Sequence, residues 1–141
     1  MVEIVVEGDV AAEPRRVWEI VANHEGMKKW MPVREVVRRR PGSPDPDGVG
    51  AVRTIRGSGL VIEERITAFK PPERLEYVLL EGAPVRDHHG EVLLEPRPGG
   101  THVRWRVRFR PLVPGTGWLL ARLLRRGLER GLAGLKRRAE A

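Results

Sequence analysis

Through most of this chain, hydrophobic and polar residues alternate. Only near the start and over the final stretch does the spacing change to threes and fours. Alternation puts successive side chains on opposite faces of a strand, and three-and-four spacing puts them on one side of a helix. Val2, Ile4 and Val6 set against Glu3 and Glu7 predict an opening strand over residues 2–10. Glu13-Pro14 then starts a helix whose buried side is Val17, Trp18, Ile20 and Val21. Proline is tolerated there because its missing N–H would have no intrahelical partner. Glu25–Trp30 reads as a short second helix or turn ending at Met31-Pro32. Six strands follow: Val33–Arg40, Gly50–Arg56, Leu60–Phe69, Leu75–Gly82, Arg86–Glu95 and Thr101–Arg110. Between them lie a Pro- and Gly-rich loop over residues 41–48 and a hairpin turn at Gly57-Ser58-Gly59.

The last of these strands places Val103, Trp105, Val107 and Phe109 on one face and His102, Arg104, Arg106, Arg108 and Arg110 on the other. One face is therefore wet, as in an antiparallel sheet covered on one side. Trp118–Ala141 is a 24-residue stretch without proline. Its leucines at 120, 123, 124, 128, 132 and 135 form a stripe opposite Arg122, Arg125, Arg126, Arg130, Lys136, Arg137 and Arg138. At ~1.5 Å per residue such a helix is roughly 36 Å long and needs an apolar surface to lie on. The order β-α-α-β-β-β-β-β-β-α is α+β, with helices on one face of an antiparallel sheet, in one domain spanning 1–141.

Composition narrows the chemistry. With no cysteine, the chain can form no disulfide, thiolate metal site or cysteine nucleophile. No apolar run approaches ~18 residues, and Met1-Val2-Glu3-Ile4 lacks the basic-then-apolar pattern of a leader, so the simplest address is the cytoplasm. The net charge of +7, with no glutamine and a single asparagine (Asn23), fits a heat-adapted surface of ion-pair networks. The same charge leaves open a basic face that docks on RNA, a ribosome or an anionic membrane. Gly48-Val49-Gly50 lacks a third glycine and enters a strand, so it makes no dinucleotide site. A P-loop and a nucleophile elbow are absent, and the only serines, Ser43 and Ser58, lie in turn-rich segments.

Several local words, in order, carry a resemblance. They are Ala12-Glu13-Pro14-Arg15-Arg16-Val17-Trp18, Met27-Lys28-Lys29-Trp30-Met31-Pro32, and Gly48-Val49-Gly50-Ala51-Val52-Arg53. After them come Glu64-Arg65-Ile66, Pro72-Glu73-Arg74-Leu75-Glu76-Tyr77, and Gly100-Thr101-His102-Val103-Arg104-Trp105 before the amphipathic helix. The chain resembles the START-like superfamily (SRPBCC) that includes Bet v 1, polyketide cyclase/dehydrase proteins and coenzyme Q-binding proteins. The resemblance implies a helix-grip fold: a curved seven-stranded antiparallel sheet wrapped around the long C-terminal helix. It also implies an apolar cavity between the two, for lipids, quinones or polyketides. Trp30 and Met27, by their place in the matching word, would close the entrance.

Strand parity names the inward residues: Ile62, Glu64 and Ile66; Leu75, Tyr77 and Leu79; Trp105, Val107 and Phe109. Leu120, Leu124 and Leu128 face them from the helix, with Trp118 at its mouth. Glu64 is a carboxylate facing an apolar interior, so it must be paired or protonated. Arg53 on the adjacent strand is the expected partner. The two either satisfy each other or together orient a ligand's polar head. Tyr77 can donate to a ligand carbonyl, and Asp87 or His88 can reach the interior as acid or base. His88 and His89 are neighbours on a strand, point to opposite faces, and cannot share a metal ion.

Three functions follow. The first is binding or transport of a hydrophobic small molecule, with no cofactor, by a monomer or homodimer. The second is a cyclase or aromatase using Glu64, Asp87, His88 or Tyr77. The third is a basic-surface partner of RNA, a ribosome or a membrane.

Overall fold

The computed structural model describes residues 1–57 and 59–141. The turn expected at Gly57-Ser58-Gly59 includes Ser58, which lies outside the described residues. The strands are β1 (Val2–Val10), β2 (Glu35–Arg40), β3 (Val52–Gly57), β4 (Leu60–Lys70), β5 (Arg74–Glu81), β6 (Val85–Arg97) and β7 (Gly100–Pro111). The helices are α1 (Pro14–Val21) and α2 (Gly117–Glu140). The expected second helix is a three-residue 3-10 turn, Met27–Lys29. The seven strands form one antiparallel sheet in the order β1-β7-β6-β5-β4-β3-β2, so the first strand pairs with the last and the sheet stays open at β1 and β2.

α2 runs over β1 and β7 and touches α1, which itself packs on β6 and β7. Its direction follows β1: a β-carbon at Gly117 would touch Val2, Leu132 lies against Gly8, and Ala11 donates to Glu140 at 2.8 Å. The beginning of α2 therefore meets the end of the sheet where β4 and β6 start and β5 and β7 finish.

The parity of the strands is that expected. Ile66, Leu75, Tyr77, Trp105, Val107 and Phe109 are buried on the inner face. On α2 the buried line is Leu128, Gly131, Leu135 and Ala139, with Leu120, Leu124 and Leu132 half-buried beside it. Two expectations on this helix are corrected. Leu123 is 59% exposed and Trp118 69% exposed. At 3.6 residues per turn, the buried line sets a centre that leaves Leu123 on the flank near Arg126 and Arg130. Trp118 falls further round still, on the charged side, so it does not belong to the interior. The polypeptide at Trp30-Met31 approaches α2 closely enough that a β-carbon at Gly134 would collide with the Trp30 carbonyl, and one at Gly131 with the Met31 sulfur.

Candidate functional site

Arg53 and Glu64 face each other in the β3–β4 register, each flanked along its strand by inward apolar residues, Ile55 and Ile66. Both are nearly withdrawn from water, at 3% and 5% exposure. Arg53 Nε and one terminal nitrogen donate to the same Glu64 oxygen, Oε1, at 2.9 and 2.8 Å. The other terminal nitrogen donates to His24 Nδ1 at 3.1 Å. A guanidinium only donates, so Nδ1 must be the unprotonated nitrogen and the ring proton sits on Nε2. From there it reaches the Asp47 carbonyl at 2.7 Å.

Burial, reinforced by the Arg53 charge, pushes the His24 pKa down to about 3. The unfolded chain takes up this proton near the ordinary value of 6.5. Between those two pH values the unfolded state binds more protons, so stability falls as pH is lowered through that window and is regained as it rises. The expected loss across the window is on the order of 3–5 kcal/mol. Urea titrations at stepped pH check it, together with an NMR titration in which the His24 ring stays neutral at pH values where exposed histidines are charged. A flat stability profile over the window contradicts this neutral, buried histidine.

Tyr77 sits in the middle of β5 opposite Gly90 of β6. Its ring lies across the glycine backbone, and a β-carbon at Gly90 would collide with it. The Arg53 guanidinium stands 5.0 Å from the ring centroid, a cation–π contact. The Tyr77 hydroxyl accepts from Trp105 Nε1–H at 2.9 Å. Burial, and then the Glu64 charge, raise its pKa above the ordinary range, so it stays a neutral phenol. Trp105 in turn tilts against Trp30 with ring centroids 6.0 Å apart.

His88 completes the cluster, its ring 5.7 Å from that of Tyr77. Its Nδ1 accepts from the Leu79 backbone N–H at 3.0 Å, which leaves its proton on Nε2. Burial lowers its pKa, so this ring too is neutral. Among the described residues, three hydrogen-bonding valences of the cluster have no protein partner: Glu64 Oε2, the Tyr77 hydroxyl proton and the His88 Nε2 proton. Trp30 Nε1, beside this cluster, is fully buried without a partner. The interior thus offers three donors and one acceptor next to an apolar wall.

The other expected site residues fall into three groups. Ile62, Leu79, Leu120 and Leu124 are half-buried around the core. Met27, Trp30, Ile66, Val107 and Leu128 are buried in it, and Trp30 is wedged between Trp105 and the α2 backbone at Gly134. Asp87 is corrected: it does not reach the interior. β6 bulges between Arg86 and His89, Asp87 has φ of 52°, and its carboxylate pairs outside with Arg110 at 3.3 Å. His89 bonds Glu76 at 2.7 Å, away from Tyr77, so His88 and His89 do diverge.

His24 is the residue that sequence reading missed, because a loop histidine carries no periodicity. Gly90 did carry a signal, since a glycine inside a strand often marks a close approach.

Exposed apolar side chains gather at the sheet end where α2 begins: Leu60, Val61, Leu80, Leu112, Val113, Leu119 and Leu123 with Trp118. Clefts of about 430, 520 and 590 Å³ open on the surface of the described residues. None of them is lined by Arg53, Glu64, Tyr77 or His88; within the cluster Arg53, Glu64 and Tyr77 are buried and His88 is half-buried. On the outer face of β7 the basic row is partly balanced: His102 bonds Asp9 and Glu7 at 2.8 Å each, and Arg106 faces Glu91 at 3.8 Å.

Residues 1–140 match the model of the family described as polyketide cyclase / dehydrase and lipid transport. No curated protein matches the chain by sequence. Among solved structures, a START superfamily protein from Mycobacterium smegmatis is similar at 17% identity and TM-score 0.82, covering 98% of this chain and 97% of that one. The protein XoxI from Bacillus cereus is similar at 18% identity and TM-score 0.80, with 97% and 94% covered. The Aha1 dimer from Colwellia psychrerythraea is similar at 19% identity and TM-score 0.77, with 99% and 97% covered. At these identities the likeness establishes the helix-grip fold, an open seven-stranded sheet with its C-terminal helix. Among the described residues no helix is long and apolar enough to cross a membrane.

Proposed function

Because the chain belongs to the polyketide cyclase / dehydrase and lipid transport family, we propose that it holds an apolar small molecule with an oxygen-bearing end. The molecule lies between the inner face of the sheet and the first half of α2. The observation that carries this reading is the set of unpartnered valences on Glu64, Tyr77 and His88 in an otherwise apolar interior. A ligand that meets them gains hydrogen bonds that the protein itself leaves unmade. Tyr77 O–H and His88 Nε2–H are each free to donate to a carbonyl or hydroxyl oxygen, and Glu64 Oε2 to accept from a hydroxyl. Ile62, Leu79, Leu120 and Leu124 take the apolar body.

Apolar walls with a few placed polar groups are the usual design of a small-molecule site. Loading requires the first half of α2 to part from the sheet. That half is held by half-buried leucines, while Leu128 and Leu135 anchor the other.

A panel of lipophilic quinones, fatty acids and aromatic polyketides, read by thermal shift, tests this. Carbonyl-bearing compounds are expected to raise the melting temperature of the wild-type protein. Tyr77→Phe is expected to weaken them about tenfold, the value of one buried hydrogen bond. No shift from any class contradicts the reading. The same trio offers an acid and a base, so a second reading is cyclisation or dehydration of the bound molecule. Turnover that disappears in Glu64→Gln while binding persists would make the protein an enzyme of that kind.

A further inference from the structure

The cleft of about 520 Å³ lies between the Lys28–Pro32 segment and the last turns of α2. Lys28, Lys29, Arg130, Arg137 and Arg138 line it, and no carboxylate does. The other two clefts carry mixed charge: Glu7, Asp9 and Glu129 with Arg125 and Lys136 in one, and Asp9 with Arg97, His102 and Lys136 in the other. None of the five cations forms an ion pair among the described residues, whereas Lys136 on the same helix pairs with Glu140 at 2.7 Å. A sixth cation adjoins them, since Arg16 donates to the Arg138 carbonyl at 3.3 Å.

Basic residues in the last turn of a helix are favoured by its dipole, which accounts for Arg137 and Arg138 on their own. It does not account for Lys28 and Lys29. They come from a different element, and the absence of side chains at Gly134 and Gly131 brings that element against α2. Like charges drawn together without a counter-ion repel one another unless an anion joins them.

We infer that this cleft binds a phosphate-bearing group, either on a free small molecule or on a lipid headgroup. Arginine forks match phosphate oxygens two at a time, and lysines add mobile point charges. The apolar wall of Trp30, Met31, Pro32 and Ala133 takes the organic part to which the phosphate is attached. The volume lies in the range of small-molecule pockets, which run from ~300 to ~1,000 Å³. Occupancy ties the Lys28–Pro32 segment to α2, and the site does not depend on what the interior holds.

The test is titration of the full chain at low ionic strength with pyrophosphate in one arm. The other arm uses phosphatidylcholine vesicles carrying phosphatidic acid. Saturable binding in either arm is expected, and the arm that binds identifies the source of the phosphate. Arg137→Gln/Arg138→Gln is expected to weaken it by about tenfold or more per guanidinium removed. Arg65→Gln/Arg104→Gln, which removes the same charge from exposed positions on β4 and β7, is expected to leave it nearly unchanged. All four side chains are exposed, so both variants keep the fold, which circular dichroism melting checks. Binding by neither probe, or an equal loss in both double variants, overturns the inference.

Discussion

Arg53→Leu is expected to destabilise the protein by about 3–5 kcal/mol, the cost of removing one partner from a buried ion pair. The guanidinium holds three things at once: Glu64 through two hydrogen bonds, His24 through a third, and the face of Tyr77. Its loss leaves a carboxylate of 5% exposure without a counter-charge and an imidazole nitrogen without a donor. In a chain of this size each kcal/mol moves the melting temperature by roughly 2–4 °C, so the midpoint is expected to fall by roughly 10 °C. Arg53→Leu/Glu64→Leu is expected to recover much of that stability, since replacing both members of a buried pair with apolar groups is often neutral. Guanidinium denaturation of the three proteins measures both effects. A single variant within about 1 kcal/mol of wild type would contradict the buried pair.

Gly134→Ala reverses the usual rule for helix interiors. Alanine in place of an exposed helical glycine is ordinarily worth about 1 kcal/mol of added stability. At Gly134 the new β-carbon would meet the Trp30 carbonyl, a backbone atom that cannot swing aside. Either α2 moves off the sheet or the Lys28–Pro32 segment does, and such overpacking costs about 1–3 kcal/mol or more. Gly127, one helical region earlier, meets nothing within 4 Å. The paired expectation is that Gly127→Ala raises the melting temperature and Gly134→Ala lowers it, with the Trp30 fluorescence shifted in the second only. Stabilisation by both would show that the segment and the helix do not approach as described.

Most of the sheet was legible because its two faces differ. A period of two, wet on one side and apolar on the other, placed Glu64, Tyr77 and Trp105 inside and predicted Arg53 as the partner of Glu64. The exceptions occur where local geometry breaks that period. Around the bulge at Asp87, with its φ of 52°, the alternation left Asp87 and His88 as alternatives; His88 lies beside Tyr77, and Asp87 emerges to pair with Arg110.

On α2 the leucines alone suggested a stripe including Leu123. The true centre is set by Gly131 and Gly134, whose importance depends on the distant Trp30-Met31 segment. His24 lies in a loop, and nothing in its neighbours announces that it bonds Arg53 across the interior. The convergence of Lys28 and Lys29 with the end of α2 is likewise a product of tertiary packing.

Native mass spectrometry of freshly purified protein most directly tests whether the grip between sheet and helix receives a guest. The wild-type chain is expected to carry a noncovalent apolar compound that dissociates on activation. Leu124→Trp, which sets a bulkier side chain between the first half of α2 and the sheet, is expected to fly bare. Bare wild-type protein that also takes up none of the offered quinones, fatty acids or polyketides would contradict the account, as would a compound retained equally by that variant.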